Sequence, residues 1–268
     1  MPNLVPDEIE YIDNVVAQRT ANPNKTYFRD YSNSWKVRVR EYLDNFGNPE
    51  NINDSLITSV AEKNKFINLY ESDKKNFIHV PIIDELRNRE LQFCPSCGED
   101  GTPNTLDHYL PKRPFPEYSI LSRNLFPMCD ICQGEKKANT LSNDGEKLFI
   151  HPYYDDFITN QIIELVVSPP YNAPTNFRVK AKSSLSQSQR KLVNHHIDEL
   201  NLHKRYSKFL KDEYIRLLKL VVRMRGKGFD ILAQIQSFHD MAEMKSVNTW
   251  GQIFYSGVLA NDDLLNYR

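Results

Sequence analysis

All four cysteines of this chain fall into two Cys-x-x-Cys pairs, Cys94/Cys97 and Cys129/Cys132. A tight turn with two thiolates supplies two corners of a tetrahedral zinc site, and a second such turn supplies the other two. The alternative is a pair of disulfides, which needs an oxidising compartment, and residues 1–40 hold no apolar stretch of signal-peptide length. We therefore predict a structural Zn²⁺ whose four sulfur ligands leave no open position.

The segment between the two pairs, residues 98–128, is longer than the spacing of about 15 to 20 residues in simple zinc ribbons. Across residues 93–139 the helical periodicity also breaks down, because prolines repeatedly interrupt short segments. The two cysteine turns must therefore enclose an inserted structure. We expect the functional residues to lie in that insert.

Composition limits the classes of function that remain. The chain has 268 residues, 40% of them hydrophobic, so it can bury a sizeable core. No run of about 18 apolar residues occurs, so we expect no membrane span and a cytoplasmic protein. The formal net charge is −1, so any nucleic-acid-binding surface must be local. No glycine-rich phosphate loop is present, so we expect no nucleotide cofactor.

The pattern of apolar residues predicts an α+β fold that is mostly α, in three regions. Residues 1–91 are predicted to be a helical N-terminal region, with helices over 6–18, 35–46, 55–70 and 81–91. Residues 92–155 form the zinc-stapled module, with a helix over 133–140. Residues 156–268 begin with a β-hairpin, from β-rich runs at 161–168 and 176–182, and continue with helices over 186–225 and 229–244. Residues 148–152 form a further β-rich run.

Within the insert, Asp107-His108 places a metal-binding carboxylate beside an imidazole that titrates near neutral pH. The dipeptide alone is weak evidence, but its neighbours follow in a specific order. These are Cys-Pro-Ser-Cys-Gly, Leu-Asp-His-Tyr-Leu-Pro-Lys, Asn124-Leu-Phe-Pro, Cys-Asp-Ile-Cys and then Lys136. This order resembles the zinc-stapled branch of the HNH endonuclease family over about residues 93–139.

The resemblance implies a ββα-metal module, in which a β-hairpin and a helix grip one Mg²⁺ or Mn²⁺ ion, and hydrolysis of DNA phosphodiester bonds. It implies that His108 is the general base, that Asp107 is a metal ligand, and that Asn124 fixes the hairpin or orients the imidazole. By analogy, the chain would be the effector of a bacterial restriction or anti-phage defence system.

The chain departs from the family pattern directly after the last cysteine, where Gln133 replaces the usual His or Asn ligand. A Gln carbonyl oxygen can coordinate Mg²⁺, which prefers oxygen ligands and retains several waters. His151, in a downstream Ile-His-Pro-Tyr segment, is a second candidate for the missing ligand. The alternative is that Gln133 marks the loss of the metal, in which case the chain is a catalytically silent zinc-stapled binding module.

A regular strand points consecutive side chains to opposite faces, so Asp107 and His108 could not both face one metal pocket from it. We therefore predict a β-bulge or similar irregularity at this dipeptide.

The expected DNA contacts are basic residues that flank the same motif: Lys112, Arg113, Lys136 and Lys137. Residues 201–228 hold a further excess of Lys and Arg, which is either a second basic surface that binds along a duplex or an acidic partner, or a solvated helix face.

We expect the helical flanks to attach to a partner protein or a second copy of the chain. A redox role for the Cys-x-x-Cys pairs is disfavoured because no βαβ pattern surrounds them.

Overall fold

The computed structural model describes residues 4–172 and 177–266. Their contacts divide the chain into two compact units. The first unit contains residues 4–91 and 103–154, and the second contains residues 92–102 with the described residues from 155 onward. Each unit combines several helices with one two-stranded antiparallel sheet, so the predicted α+β, mostly α fold class is confirmed.

The first unit opens with helices that frame the candidate site. They are α1 (Glu8–Ala17), α2 (Asn24–Asp44), α3 (Val60–Tyr70) and α4 (His79–Arg87). The Asp7 side chain caps α1 by accepting hydrogen bonds from the backbone of Ile9 and Glu10, at 2.8 and 3.0 Å. Helix α2 begins earlier than the spacing from residue 35 predicted, because Phe28 is also buried in the core.

Aromatic packing holds these helices together. The Phe66 ring of α3 meets the Phe28 and Trp35 rings of α2 edge to face, with centroids 5.3 and 4.9 Å apart. All three side chains are almost completely buried. Such pairs contribute about 0.5–1.5 kcal/mol beyond the burial of their area, so this cluster fixes α2 against α3.

The hairpin of the first unit consists of β1 (Thr105–His108) and β2 (Leu125–Met128). Its register is continuous, with Asp107 opposite Phe126 and His108 opposite Leu125. The predicted bulge is therefore wrong, and the two side chains leave the strand on opposite faces. The loop between the strands contains two short 3₁₀ turns, Pro116–Tyr118 and Ser122–Asn124, and is buried for most of its length.

Helix α5 (Asp130–Lys136) follows β2 directly. It begins three residues earlier than predicted because Cys129 is its N-cap, and the Cys129 sulfur accepts a hydrogen bond from the Cys132 backbone. It ends at Lys136, because the next residue, Lys137, has a backbone φ of 53° that a helix cannot accommodate. The second cysteine turn and the first turn of the helix are therefore the same structure.

The second unit contains a hairpin of β3 (Ile163–Val167) and β4 (Phe177–Ala181), followed by helices. The helices are α6 (Gln187–Glu199), α7 (Leu202–Gly226), α8 (Ile231–Glu243), α9 (Trp250–Leu259) and α10 (Asp262–Leu265). The predicted hairpin is confirmed, although Asn176 lies outside the described residues. The run at 148–152 forms no strand.

Helix α9 was missed because it is apolar on most sides and contains two glycines, so it lacks amphipathic spacing. One readable signal was Thr249, three residues before Gln252, since the threonine hydroxyl caps the helix by accepting from that backbone N–H. Across the described ranges, no helix combines the length and apolar character needed to cross a membrane.

Gly47 allows a direct test of packing in the first unit. Its φ is +67°, and a Cβ there would lie 2.8 Å from the Tyr42 ring and 3.0 Å from the His151 ring. We expect Gly47→Ala to lower the free energy of unfolding by about 1–3 kcal/mol more than Gly145→Ala, because overpacking adds to backbone strain. Gly145 is the matched control, since it has a φ of +76° and no atom within 4 Å of an added Cβ. Equal losses in denaturant titrations of the two variants would contradict this packing.

Candidate metal centre and active site

The four cysteines of the sequence motif come together. Their sulfur atoms all lie within 4.8 Å of one another, and none of them is in a disulfide. Zn–S bonds of about 2.3 Å in a tetrahedron place sulfurs about 3.8 Å apart, and separations within 4.8 Å are compatible with four ligands of one ion. Cys94, Cys97 and Cys132 are buried, and Cys129 is partly exposed. The donor set therefore fits a structural Zn²⁺.

The first cysteine turn is shaped by backbone hydrogen bonds. Gly98 N donates to Cys94 O at 2.8 Å, and Cys94 N donates to Glu99 O at 2.9 Å. Gly98 has a φ of +75°, and any Cβ there would be 2.0 Å from Asn248 O, so only glycine fits. The Arg205 guanidinium lies 3.3 Å from the Cys97 sulfur, where its charge favours the thiolate that a metal requires.

The second turn belongs to the ββα part of the first unit. Cys129 caps α5, as described above, and Asp130 N donates to Asn104 Oδ1 at 2.9 Å. Thr105, at the start of β1, donates its hydroxyl to Met128 O at 2.6 Å. The turn is therefore tied to both strands of the hairpin that carries Asp107 and His108.

Asp107 and Gln133 are brought together. The Asp107 side chain is buried, with 7% of the residue exposed, and its Oδ1 accepts a hydrogen bond from Gln133 Nε2 at 3.3 Å. A half-turn of the Gln133 amide about its last torsion exchanges its oxygen and nitrogen, so a carboxylate and an amide oxygen can face one point. Oxygen donors of this kind suit Mg²⁺ or Mn²⁺.

Lys136 is the main correction to the sequence-based site. It is only 1% exposed, and its ammonium lies 3.0 Å from Asp107 Oδ2 and 2.8 Å from His108 O. A buried ammonium held in this way cannot also contact a DNA phosphate on the surface, so the predicted role of Lys136 in DNA binding is wrong. Its role is to neutralise the buried carboxylate and to hold the end of β1.

His108 faces the opposite side of the hairpin. Its Nε2 lies 3.0 Å from Ser119 O, and its ring packs edge to face on Tyr70 with centroids 4.4 Å apart. Only 8% of the residue is exposed, and burial lowers the pKa of His108 to about 3. The bond to Ser119 O opposes that shift, while the charges of Lys112 and Lys136 add to it.

Helices outside the sequence motif hold the loop that carries Ser119. The Ser119 hydroxyl donates to Phe66 O in α3 at 2.9 Å. Trp35 Nε1 donates to Glu117 O at 2.7 Å, and Arg38 Nε lies 3.5 Å from the buried Glu117 carboxylate. Sequence reasoning missed Tyr70, Glu117 and Ser119, and no local pattern marks them, because their roles come from long-range contacts.

Asn124 spans the same loop with its side-chain amide. Its Oδ1 accepts from Leu110 N at 2.7 Å, and its Nδ2 donates to Leu110 O and Tyr118 O at 3.0 and 3.1 Å. Three partners for one fully buried amide fit the first of its two expected roles, which is to fix the loop of the hairpin. No contact between Asn124 and the His108 ring appears among the described interactions.

His151 is not placed as a metal ligand. Its Nε2 lies 3.0 Å from the Tyr42 hydroxyl, and its Nδ1 accepts from Tyr153 N at 3.2 Å. Both ring nitrogens are thus committed to hydrogen bonds inside an aromatic cluster, and burial lowers the pKa of His151 well below its usual value. The geometry argues against the ligand role, and His151 is a buried structural histidine.

The remaining basic candidates lie on the surface. Arg113 and Lys137 are exposed, whereas Lys112 is half-buried and forms an ion pair with Glu71 at 2.8 Å. The Lys112 ammonium also lies 4.8 Å from the centre of the Tyr70 ring, next to the ring on which His108 packs. Arg113 and Lys137 are therefore the better placed of the four for phosphate contact.

The cysteine cluster predicts that the purified protein contains one zinc ion per chain. Cys132→Ser should lose that zinc and unfold at lower denaturant concentration, because three sulfurs hold Zn²⁺ poorly. Ser96→Ala, inside the first turn, is the control and should keep the metal. Mass spectrometry under native conditions and metal analysis would measure both. Zinc-free wild-type protein with unchanged stability would contradict the site.

The buried His151 predicts a specific pH dependence of stability. Burial holds the folded-state pKa of His151 well below the unfolded value of about 6.5, so the unfolded state gains this proton first as the pH falls from 7 to 5. The contribution of His151 to stability is fully present above the unfolded pKa of about 6.5 and is lost as the pH falls. We expect wild type to lose more stability than His151→Gln over this range, by up to about 2 kcal/mol. The exposed His203→Gln is the control and should keep the wild-type slope.

Comparison with known proteins adds one relative. The chain is 25% identical to protein Ea31 of Escherichia phage lambda over 229 residues, which cover 78% of this chain and 76% of the relative. No protein-family model matches the chain. No solved structure matches it either. The name of the relative states no activity, so the geometry of the site has to carry the functional proposal.

Proposed function

We propose that this chain is a metal-dependent endonuclease of the HNH type that hydrolyses phosphodiester bonds of DNA. The observation that carries the proposal is the contact between His108 Nε2 and Ser119 O. A carbonyl oxygen only accepts hydrogen bonds, so Nε2 must carry the proton. The neutral ring then has its lone pair on Nδ1, which is the form that a general base requires.

Nδ1 is free to act in this way. It has no hydrogen-bond partner among the described residues, and it is not sealed from solvent. A pKa of about 3 keeps the ring neutral at physiological pH. A phosphate anion close to the ring would favour the protonated form and so raise the proton affinity during the reaction.

Asp107 and Gln133 would hold the ion, one through a carboxylate oxygen and the other through its amide oxygen. A bound Mg²⁺ or Mn²⁺ supplies a positive charge that stabilises the charge developing on the phosphate oxygens. Lys136 shares the Asp107 carboxylate and adds a second fixed positive charge. The ring of His108 leaves β1 on the face opposite Asp107, so it would take the proton from an attacking water on that side of the scissile phosphate. Exposed Arg113 and Lys137 would contact flanking phosphates.

Supercoiled plasmid tests this directly. With Mg²⁺ or Mn²⁺, wild type should nick or linearise the DNA, and His108→Ala should reduce the rate by about 10²–10⁴-fold because the general base is gone. His203→Ala, an exposed histidine on α7, is the matched control and should cleave as wild type does. Metal analysis and circular dichroism would show that each variant keeps its zinc and its fold. Equal rates for wild type and His108→Ala, with both folded, would eliminate the proposal.

The second candidate is a catalytically silent zinc-stapled module that binds nucleic acid or protein. Two observations favour it. Strand β1 is regular through Asp107 and His108, and the Lys136 ammonium lies against the carboxylate that would have to bind an ion.

Calorimetric titration with Mn²⁺ separates the two candidates. The nuclease predicts a binding event that Asp107→Asn removes, and the silent module predicts none beyond zinc. An effector role in restriction or anti-phage defence stays a prediction.

A further inference from the structure

Helix α7 carries an unusual concentration of positive charge on its exposed side. The buried side is apolar and packs through a row of residues that includes Tyr206, Leu210, Tyr214 and Leu217. The opposite side carries six exposed basic residues, which we call the α7 basic stripe: Lys204, Lys208, Lys211, Arg216, Lys219 and Arg223. Two acidic residues, Asp212 and Glu213, lie within the same span, so the surface has an excess of positive charge.

The stripe differs from an ordinary solvated helix face in the small number of its ion pairs. Ion pairs three or four residues apart usually balance such faces. Arg216 has one partner, Glu213 at 3.3 Å, and its side chain is still 76% exposed. For the other five stripe residues, no ion pair or side-chain hydrogen bond occurs in residues 4–172 and 177–266. Like charges one turn apart repel each other, so the stripe costs stability in the isolated chain.

The spacing of the stripe suits a chain of phosphates. At about 1.5 Å of rise per residue, Lys204 and Arg223 lie about 28 Å apart along the helix, and Lys219 and Arg223 about 6 Å apart. A DNA strand presents a phosphate about every 3.4 Å along the duplex axis. Long Lys and Arg side chains can reach neighbouring phosphates from such positions without reading base edges.

We propose that the α7 basic stripe binds the phosphate backbone of nucleic acid, independently of base sequence. An acidic protein partner is the competing occupant. The phosphate backbone is favoured because the charge extends along almost the whole length of the helix rather than forming a compact patch. This proposal does not require the chain to be a nuclease, since binding is measured separately from cleavage.

The test uses the full-length chain with zinc retained and no added Mg²⁺. Binding of a fluorescent 30-base-pair duplex is measured by anisotropy between 50 and 300 mM salt. We compare the stripe variant Lys208→Gln, Lys219→Gln, Arg223→Gln with the control variant Lys180→Gln, Lys191→Gln, Lys245→Gln. Both lose three positive charges from the same unit. Lys180 and Lys245 are paired with Glu164 and Asp100, at 3.0 Å each.

The stripe variant should bind at least tenfold more weakly than wild type at 100 mM salt. Its slope of log affinity against log salt should be smaller by roughly 2 to 3, because each lost phosphate contact removes about 0.9. The control variant should stay within about twofold of wild type.

Equal weakening of the two variants would overturn the proposal in favour of net charge alone. Unchanged binding by the stripe variant would also overturn it and leave the acidic partner as the occupant. Neither result bears on the nuclease proposal, which the plasmid assay of His108→Ala tests separately.

Discussion

The buried loop between β1 and β2 imposes the constraint on which the first unit depends. A loop in the interior must find a partner for each backbone N–H and C=O, because an unpaired one costs roughly the desolvation of that group. Asn124 meets much of this need, since its one amide bonds to three backbone atoms of Leu110 and Tyr118. The loop can then keep a fixed shape without regular secondary structure. Ser119 O, which faces His108, owes its position to that shape.

The helical N-terminal region therefore supports the candidate site directly, in addition to any role in attaching a partner. Helix α1 reaches the loop through the buried Glu8 carboxylate, which accepts from the Ser122 hydroxyl, and burial raises the pKa of Glu8. Helix α2 holds Glu117 through Trp35 and Arg38. Helix α3 supplies the carbonyl of Phe66 for Ser119. The insert between the cysteine pairs would expose these polar groups if it stood alone, which explains why it shares one compact unit with residues 4–91.

Burial also sets the electrostatics of the site. The Asp107 carboxylate is removed from water, and the Lys136 ammonium neutralises it at 3.0 Å. A charge in a low-dielectric interior needs such a partner. His108, one residue later, has no anionic partner among the residues that the structure describes and is kept neutral by burial. Opposite faces of one strand thus carry a paired charge and an uncharged imidazole, and the alternation of the strand separates their environments.

Sequence alone determined the parts whose signal is local. The cysteine spacing predicted the four-sulfur cluster, and the apolar periodicity predicted most helices and the second hairpin. The motif order named Asp107, His108, Asn124 and Gln133 as site residues, and their roles stay predictions. Tertiary structure decided what depends on distant partners. It buried Lys136 against Asp107, placed His151 among tyrosines, kept β1 regular where a bulge was predicted, and set Ser119 O against His108. The local sequence pattern around a side chain does not reveal which residues more than ten positions away will contact it. Its burial and its pKa therefore follow only from the folded chain.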